Sequence, residues 1–265
     1  MRIARIATEA GPRSVVADGE HWHGVVDPFA PEPVRTGESW PISGAALLAP
    51  VVPTVVLGMA HNGAPGDRDL PPQAFQKSAR TIVGPGDRIE LDASLGTINI
   101  EGELAVVIRR TSRHLRAEDV ADAILGFTIG NDVTAADQIP LDDKLTQVKN
   151  GDGYTPIGPW IETDFDASDA RLLVEITGPD GVRRTVADAT TASLAYDVTE
   201  QLVYLTSHLT LGPGDVVLTG APATFAPAVP GDIASITIPG IGTLENPAVA
   251  AVRPTSAHQE QVVTV

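Results

Sequence analysis

Short β-branched apolar runs, most of them closely bounded by glycine or proline, recur from one end of this sequence to the other. They include Val55 to Leu57, Leu104 to Ile108, Phe127 to Ile129, Leu172 to Ile176, Val216 to Leu218 and Ile233 to Ile238. β-Branched side chains suit a pleated surface, and runs of this length between turn formers read as strands. Pro-Gly-Asp stands ahead of three such runs, beginning at Pro85, Pro213 and Pro230. Each is a turn in which proline presets φ and glycine supplies a positive φ. A mainly β chain follows.

Two helices fit between the strands. "AEDVADAIL", residues 117 to 125, has acids in its first turn and stops at Gly126. Residues 198 to 208 carry Val198, Leu202 and Leu205 on one stripe continued by Leu209, with Asp197 and Glu200 at capping-box spacing. Residues 1–45 alternate short β-like runs with Gly and Pro turns, as in a small β meander. The uncharged stretch from Trp40 to Ala60 is long enough to span a membrane, but Pro41, Pro50 and Pro53 would break a spanning helix. It reads better as a linker into a buried strand. The domain expectation is thus an N-terminal meander over 1–45, a larger domain over 46–252 and a flexible tail over 253–265.

With 34 acids against 18 bases, the chain repels phosphate backbones and anionic lipid, so neither nucleic acid nor membrane is an expected partner. The absence of cysteine removes disulfides, thiolate zinc sites and cysteine nucleophiles together. "MRIARIATEAGPRS" shows no apolar segment of secretory length, so a cytoplasmic location is expected.

"INIEGELAVVI" places Glu101 and Glu103 immediately before a buried run. Residues two apart on a strand share a face, with Cα atoms roughly 6.5 to 7 Å apart, so both carboxylates can converge on one ion. Taken alone, such a pair is ordinarily a solvated strand mouth. About thirty residues on, "GFTIGNDVTAADQ" is an apolar strand ending in Asn131-Asp132, which can present a third acid to the same place. Three carboxylates without thiolate make a hard oxygen site suited to Mg²⁺ or Mn²⁺.

In order, "EGELAVVI", "GFTIGNDVT", "VKNGDGYTPIGPW", "LGPGDVVLTGAP" and "GDIASITIPGIGTLENPAV" resemble the C-terminal domain of the fumarylacetoacetate hydrolase family, over roughly residues 50 to 250. The resemblance implies an α+β, mainly β fold: a mixed β-roll preceded here by a small N-terminal β-rich domain, and usually a homodimer. It implies a metal-dependent enzyme acting on a small keto acid or dicarbonyl through its enolate, by decarboxylation, tautomerisation, isomerisation or carbon–carbon hydrolysis. Glu101, Glu103 and Asp132 take the positions of the metal ligands, and Lys149 that of a catalytic lysine. Thr219, Tyr154 and Asp67 fall at substrate-side positions.

The substrate side also departs from the family pattern. A segment like G-x-N-Y-x-x-H-x-x-E, whose His and Glu activate water, reads here "GMAHNGAPGD", with Ala64 at the His position and Asp67 at the Glu position. Ala136 replaces an arginine four residues after the ligand Asp. His61, three residues before the expected base, is a candidate acid/base; it is equally a structural histidine at a strand end. An enolate-forming decarboxylase, tautomerase or isomerase fits these losses better than a hydrolase. A relative that binds metal and ligand without turnover, and a metal-free β-sandwich binding module, are the alternatives.

Overall fold

The computed structural model describes residues 1–252; the tail expected over 253–265 lies outside the described residues. Two sheets form the framework. In the larger, ten strands follow one another by hydrogen bonding: Arg35–Pro41, His21–Val25, Arg13–Asp18, Arg2–Ile6, Thr155–Glu162, Ile124–Asn131, Ile98–Ile108, Val216–Leu218, Val56–Ala60 and Gln73–Lys77. The smaller orders Arg183–Thr190, Arg171–Thr177, Ile233–Ile238, Gly242–Ala250 and Ile89–Leu91. The N-terminal meander continues the larger sheet, because Arg2 and Ile3 pair with Glu162 and Ile161.

The runs expected as strands are strands: Val216–Leu218 and Ile233–Ile238 keep the expected bounds, Val56–Ala60 begins one residue later, and Ile98–Ile108, Ile124–Asn131 and Arg171–Thr177 extend beyond theirs. All three Pro-Gly-Asp turns are built alike: Gly86, Gly214 and Gly231 have φ of 80, 83 and 97°. In each, the aspartate carboxylate accepts the N–H three residues back, from Gly84, Gly212 and Val229. The helix Val198–His208 carries the expected capping box, Glu200 N–H donating to Asp197 and Asp197 N–H to Glu200. The other helix is shorter than its sequence suggests. A 3₁₀ turn at Ala117–Asp119 leads into one helical turn, Val120–Ala123, and Ile124 already pairs with Ile108 in the sheet. Strand pairing takes the last two residues of the apolar stripe.

Ile98–Ile108 organises the core because both of its faces are buried. Leu104, Val106 and Ile108 pack with Val174 and Ile236 of the smaller sheet, while Ala105 and Val107 pack with Ile3, Val16, Ile157 and Leu218. Its first half pairs with Thr134–Ala135 and Phe225–Pro227, and its second half with Ile124–Asn131 and Val216–Leu218. Glu101, Gly102 and Glu103 lie where these two sets of partners meet. Among the described residues no helix is long and apolar enough to cross a membrane.

Candidate functional site

The glycine between the two acids is imposed by packing. A Cβ on Gly102 would lie 2.7 Å from Val174 Cγ2 and 3.2 Å from Ile236 Cγ2. The strand therefore rests directly on the smaller sheet, and alternation turns Glu101 and Glu103 to the other side. Asp132 follows immediately after Ile124–Asn131, and its N–H donates to the Glu101 carbonyl at 2.9 Å. Asn131 Oδ1 accepts the Glu101 N–H at 2.9 Å, fixing one strand end to the other. Ligand atoms of Glu101, Glu103 and Asp132 all come within 4.8 Å of one another.

Two buried ammonium groups face these acids. Lys149 Nζ donates to Asp132 Oδ2 at 2.5 Å, Glu101 Oε2 at 3.0 Å and Thr134 Oγ1 at 2.6 Å. Lys77, 0% exposed, donates to Asp132 Oδ1 at 2.6 Å. The Phe75 ring lies 4.9 Å from Lys149 Nζ, centroid to nitrogen, and faces the same side of its strand as Lys77.

The electrostatics divide the acids. Burial raises the pKa of Asp132, but Lys77 and Lys149 outweigh it and hold the carboxyl below its ordinary value. Burial drives Glu103 well above its ordinary value, and the nearby Asp132 charge adds to this. Glu101 is also raised, by burial first, with Lys149 opposing. Burial lowers Lys77 despite Asp132, whereas for Lys149 the surrounding acids overcome burial and raise it. With every group ionised, three carboxylates and two ammonium groups would leave one negative charge in excess in a buried place, a state that burial opposes at Glu103. A divalent cation with oxygen donors fits that excess.

The remaining sequence candidates occupy different settings. His61 is exposed, at φ 50°, and lines a cavity of about 360 Å³ together with Ala60, Gln73, Phe75, Ile139 and Lys144. Phe75 thus borders both the cavity and Lys149. The Asp67 carboxylate accepts the N–H groups of Gly63 and Ala64 at 2.9 and 3.0 Å, shaping its own 3₁₀ turn. The Thr219 hydroxyl donates to the Leu104 carbonyl at 2.9 Å, and the following N–H, of Gly220, donates to Glu103 Oε2 at 2.6 Å. Tyr154 is buried in the apolar core, and its hydroxyl has no hydrogen-bond partner among the described residues; burial, then the Asp92 charge, push its pKa up to about 12. Lys77 escaped the sequence reading, since its one signal is that it shares a strand face with Phe75.

Residues 55–249 match the fumarylacetoacetate (FAA) hydrolase C-terminal family, and residues 1–50 the Rv2993c-like N-terminal family. The chain belongs to the fumarylacetoacetate hydrolase family. It is 38% identical over 271 residues to Protein Rv2993c of Mycobacterium tuberculosis, covering 96% of this chain and 100% of that one. The crystal structure of 2-hydroxyhepta-2,4-diene-1,7-dioate isomerase from Mycobacterium marinum superposes with a TM-score of 0.88 at 38% identity, over 96% of this chain and 100% of that one. The 4-hydroxyphenylacetate degradation bifunctional isomerase/decarboxylase of Salmonella dublin is 33% identical over 176 residues, 66% of this chain and 39% of that one. Two of these three relatives are named as enzymes, and their names leave the reaction type open.

Proposed function

We propose that this family member is a divalent-metal-dependent enzyme that takes a small keto acid or dicarbonyl compound through its enolate, by isomerisation, tautomerisation or decarboxylation. The observation that carries this reading is the convergence of Glu101, Glu103 and Asp132 within 4.8 Å, beside the ammonium groups of Lys77 and Lys149. Oxygen-only anionic donors suit Mg²⁺ or Mn²⁺ over a softer ion. Glu101, Glu103 and Asp132 would hold such an ion, which would supply Lewis acidity for the negative charge of an enolate.

The chain's own groups do the rest. Lys149 and Lys77 offset the acid charge, Lys149 from Asp132 and Glu101 and Lys77 from Asp132. Phe75 gives the substrate one apolar wall in a cavity that Gln73, Asp142, Asp143 and Lys144 otherwise make polar. His61, on that cavity, is the candidate acid/base. Hydrolysis needs an activated water as well, and the Asp67 carboxylate is already engaged by backbone N–H groups. That engagement favours enolate chemistry over carbon–carbon hydrolysis, in line with the isomerase and isomerase/decarboxylase names of two relatives.

The test is turnover of oxaloacetate and acylpyruvates with Mg²⁺ and with chelator. Metal-dependent turnover is expected, and His61→Ala should lower kcat by about 10² to 10⁴ while leaving metal affinity unchanged. The engaged Asp67 also supports a second reading, a protein that binds metal and ligand without turnover. Stoichiometric metal with no turnover of any such substrate would favour it.

A further inference from the structure

The peptide joining Thr219 to Gly220 bonds to two parts of the molecule at once. Its N–H donates to Glu103 Oε2 at 2.6 Å. Its carbonyl accepts from Asn62 Nδ2 at 2.7 Å and from Gln201 Nε2 at 3.3 Å. Asn62 is 2% exposed and Gln201 0%. Both amides are themselves oriented by Tyr196, whose N–H donates to Asn62 Oδ1 at 2.7 Å and whose carbonyl accepts from Asn62 at 3.1 Å and Gln201 at 2.8 Å.

Asn62 also begins the segment that carries Asp67 and Arg68 and follows His61. That segment meets the 219–221 turn backbone to backbone. A Cβ on Gly220, at φ 105°, would lie 2.9 Å from the Asn62 carbonyl oxygen, and one on Gly63 would lie 2.5 Å from that of Ala221. Neither segment can shift by much without moving the other.

We propose that Asn62, assisted by Gln201, is a positioning residue for Glu103, and that through the Thr219–Gly220 peptide it links the 61–70 segment to metal held by the three acids. The inference rests on the reading of those acids as a metal centre. Two buried amides on the carbonyl fix the plane of the peptide and polarise its N–H toward Glu103. Groups that orient a ligand in this way typically change metal affinity about 10- to 100-fold when removed. The link works in both directions: metal that orders Glu103 steadies the 61–70 segment by the same free energy.

Mn²⁺ binding to the full chain, followed by the spin-resonance signal of the free ion, tests the proposal in the wild type, Asn62→Ala and Gln201→Met. Asn62→Ala should weaken the Kd about 10- to 100-fold, and Gln201→Met less, because its bond is longer. Hydrogen exchange of residues 61–70 should slow when Mn²⁺ is added to the wild type, and this slowing should vanish in Asn62→Ala. A purely structural role for Asn62 would lower thermal stability but leave the response of that segment to Mn²⁺ intact. Mn²⁺ affinity within about threefold of wild type in folded Asn62→Ala would overturn the inference alone. Should Asn62→Ala not fold, unchanged affinity and unchanged exchange in Gln201→Met would do the same. A wild type that binds no Mn²⁺ overturns the metal reading and the inference together.

Discussion

Gly102→Ala perturbs the strand between its two acids, and its effect follows from distances. The added methyl would lie 2.7 Å from Val174 Cγ2, about 0.7 Å short of the 3.4 Å at which ordinary contact begins, with Ile236 Cγ2 at 3.2 Å. Neither neighbour can turn aside easily, because β-branched side chains in a strand are stiff at χ1. Gly102 does not have a positive φ, so alanine meets no backbone strain there. Overpacking of this kind costs about 1 to 3 kcal/mol, and the reduced freedom of the unfolded chain returns about 0.4 to 1 kcal/mol. The net loss is about 1 to 2 kcal/mol, or about 2 to 8 °C in Tm for a chain of this size. The strand must also lift from the smaller sheet, carrying Glu101 and Glu103 with it, so the rise in Tm on adding Mg²⁺ should shrink. Calorimetry with Mg²⁺ and with chelator measures both effects. Val174→Ala removes the nearer clash, so the double variant should be more stable than the two single losses predict, by about 0.5 kcal/mol or more. A Gly102→Ala protein with wild-type Tm and a wild-type response to Mg²⁺, or a double variant with simply additive losses, would refute the packing argument.

Three further outcomes are expected. Glu103 has its pKa raised by burial, so its contribution to stability is full below the unfolded carboxylate value and is lost as pH rises through the folded one. In chelator, Glu103→Gln should therefore be the more stable protein at neutral pH, its advantage fading toward acid, and denaturation across pH 4 to 8 tests this. Lys77→Met leaves Asp132 buried with one cation fewer; the loss should be about 3 kcal/mol or more by urea denaturation, and added Mg²⁺ should recover part of it. Arg68 holds the 61–70 segment by donating to the Ala195 carbonyl, pairing with Glu200 at 2.5 Å and stacking 4.8 Å above Tyr196. Arg68→Ala should leave Tm unchanged and speed proteolytic cleavage within that segment.

What was legible in the sequence was local. Strand alternation aimed Glu101 and Glu103 to one side, and the capping box marked the start of the Val198–His208 helix, because both signals span only a few residues. The pattern over 117–125 suggests a longer helix than Val120–Ala123, since pairing of Ile124 with Ile108 depends on a partner strand that no local spacing reveals. Lys77 meets Asp132 across 55 positions and Asn62 meets Thr219 across 157, so neither left a pattern in its own neighbourhood. Asn62 is harder still to find, because it acts on a backbone carbonyl, which every residue has.

The strand Ile98–Ile108, clasped by apolar residues on both faces, has a consequence for how a family like this diversifies. Its acids cannot drift without loosening two cores together, so the cluster of Glu101, Glu103 and Asp132 behaves as a fixed chassis. His61, Ile139 and Lys144 enter from connecting segments at the cavity, where replacements perturb little else. New substrates and new reaction types can be tried at the mouth while the charge centre beneath stays as it was. Chemistry of this kind can change by refitting the entrance.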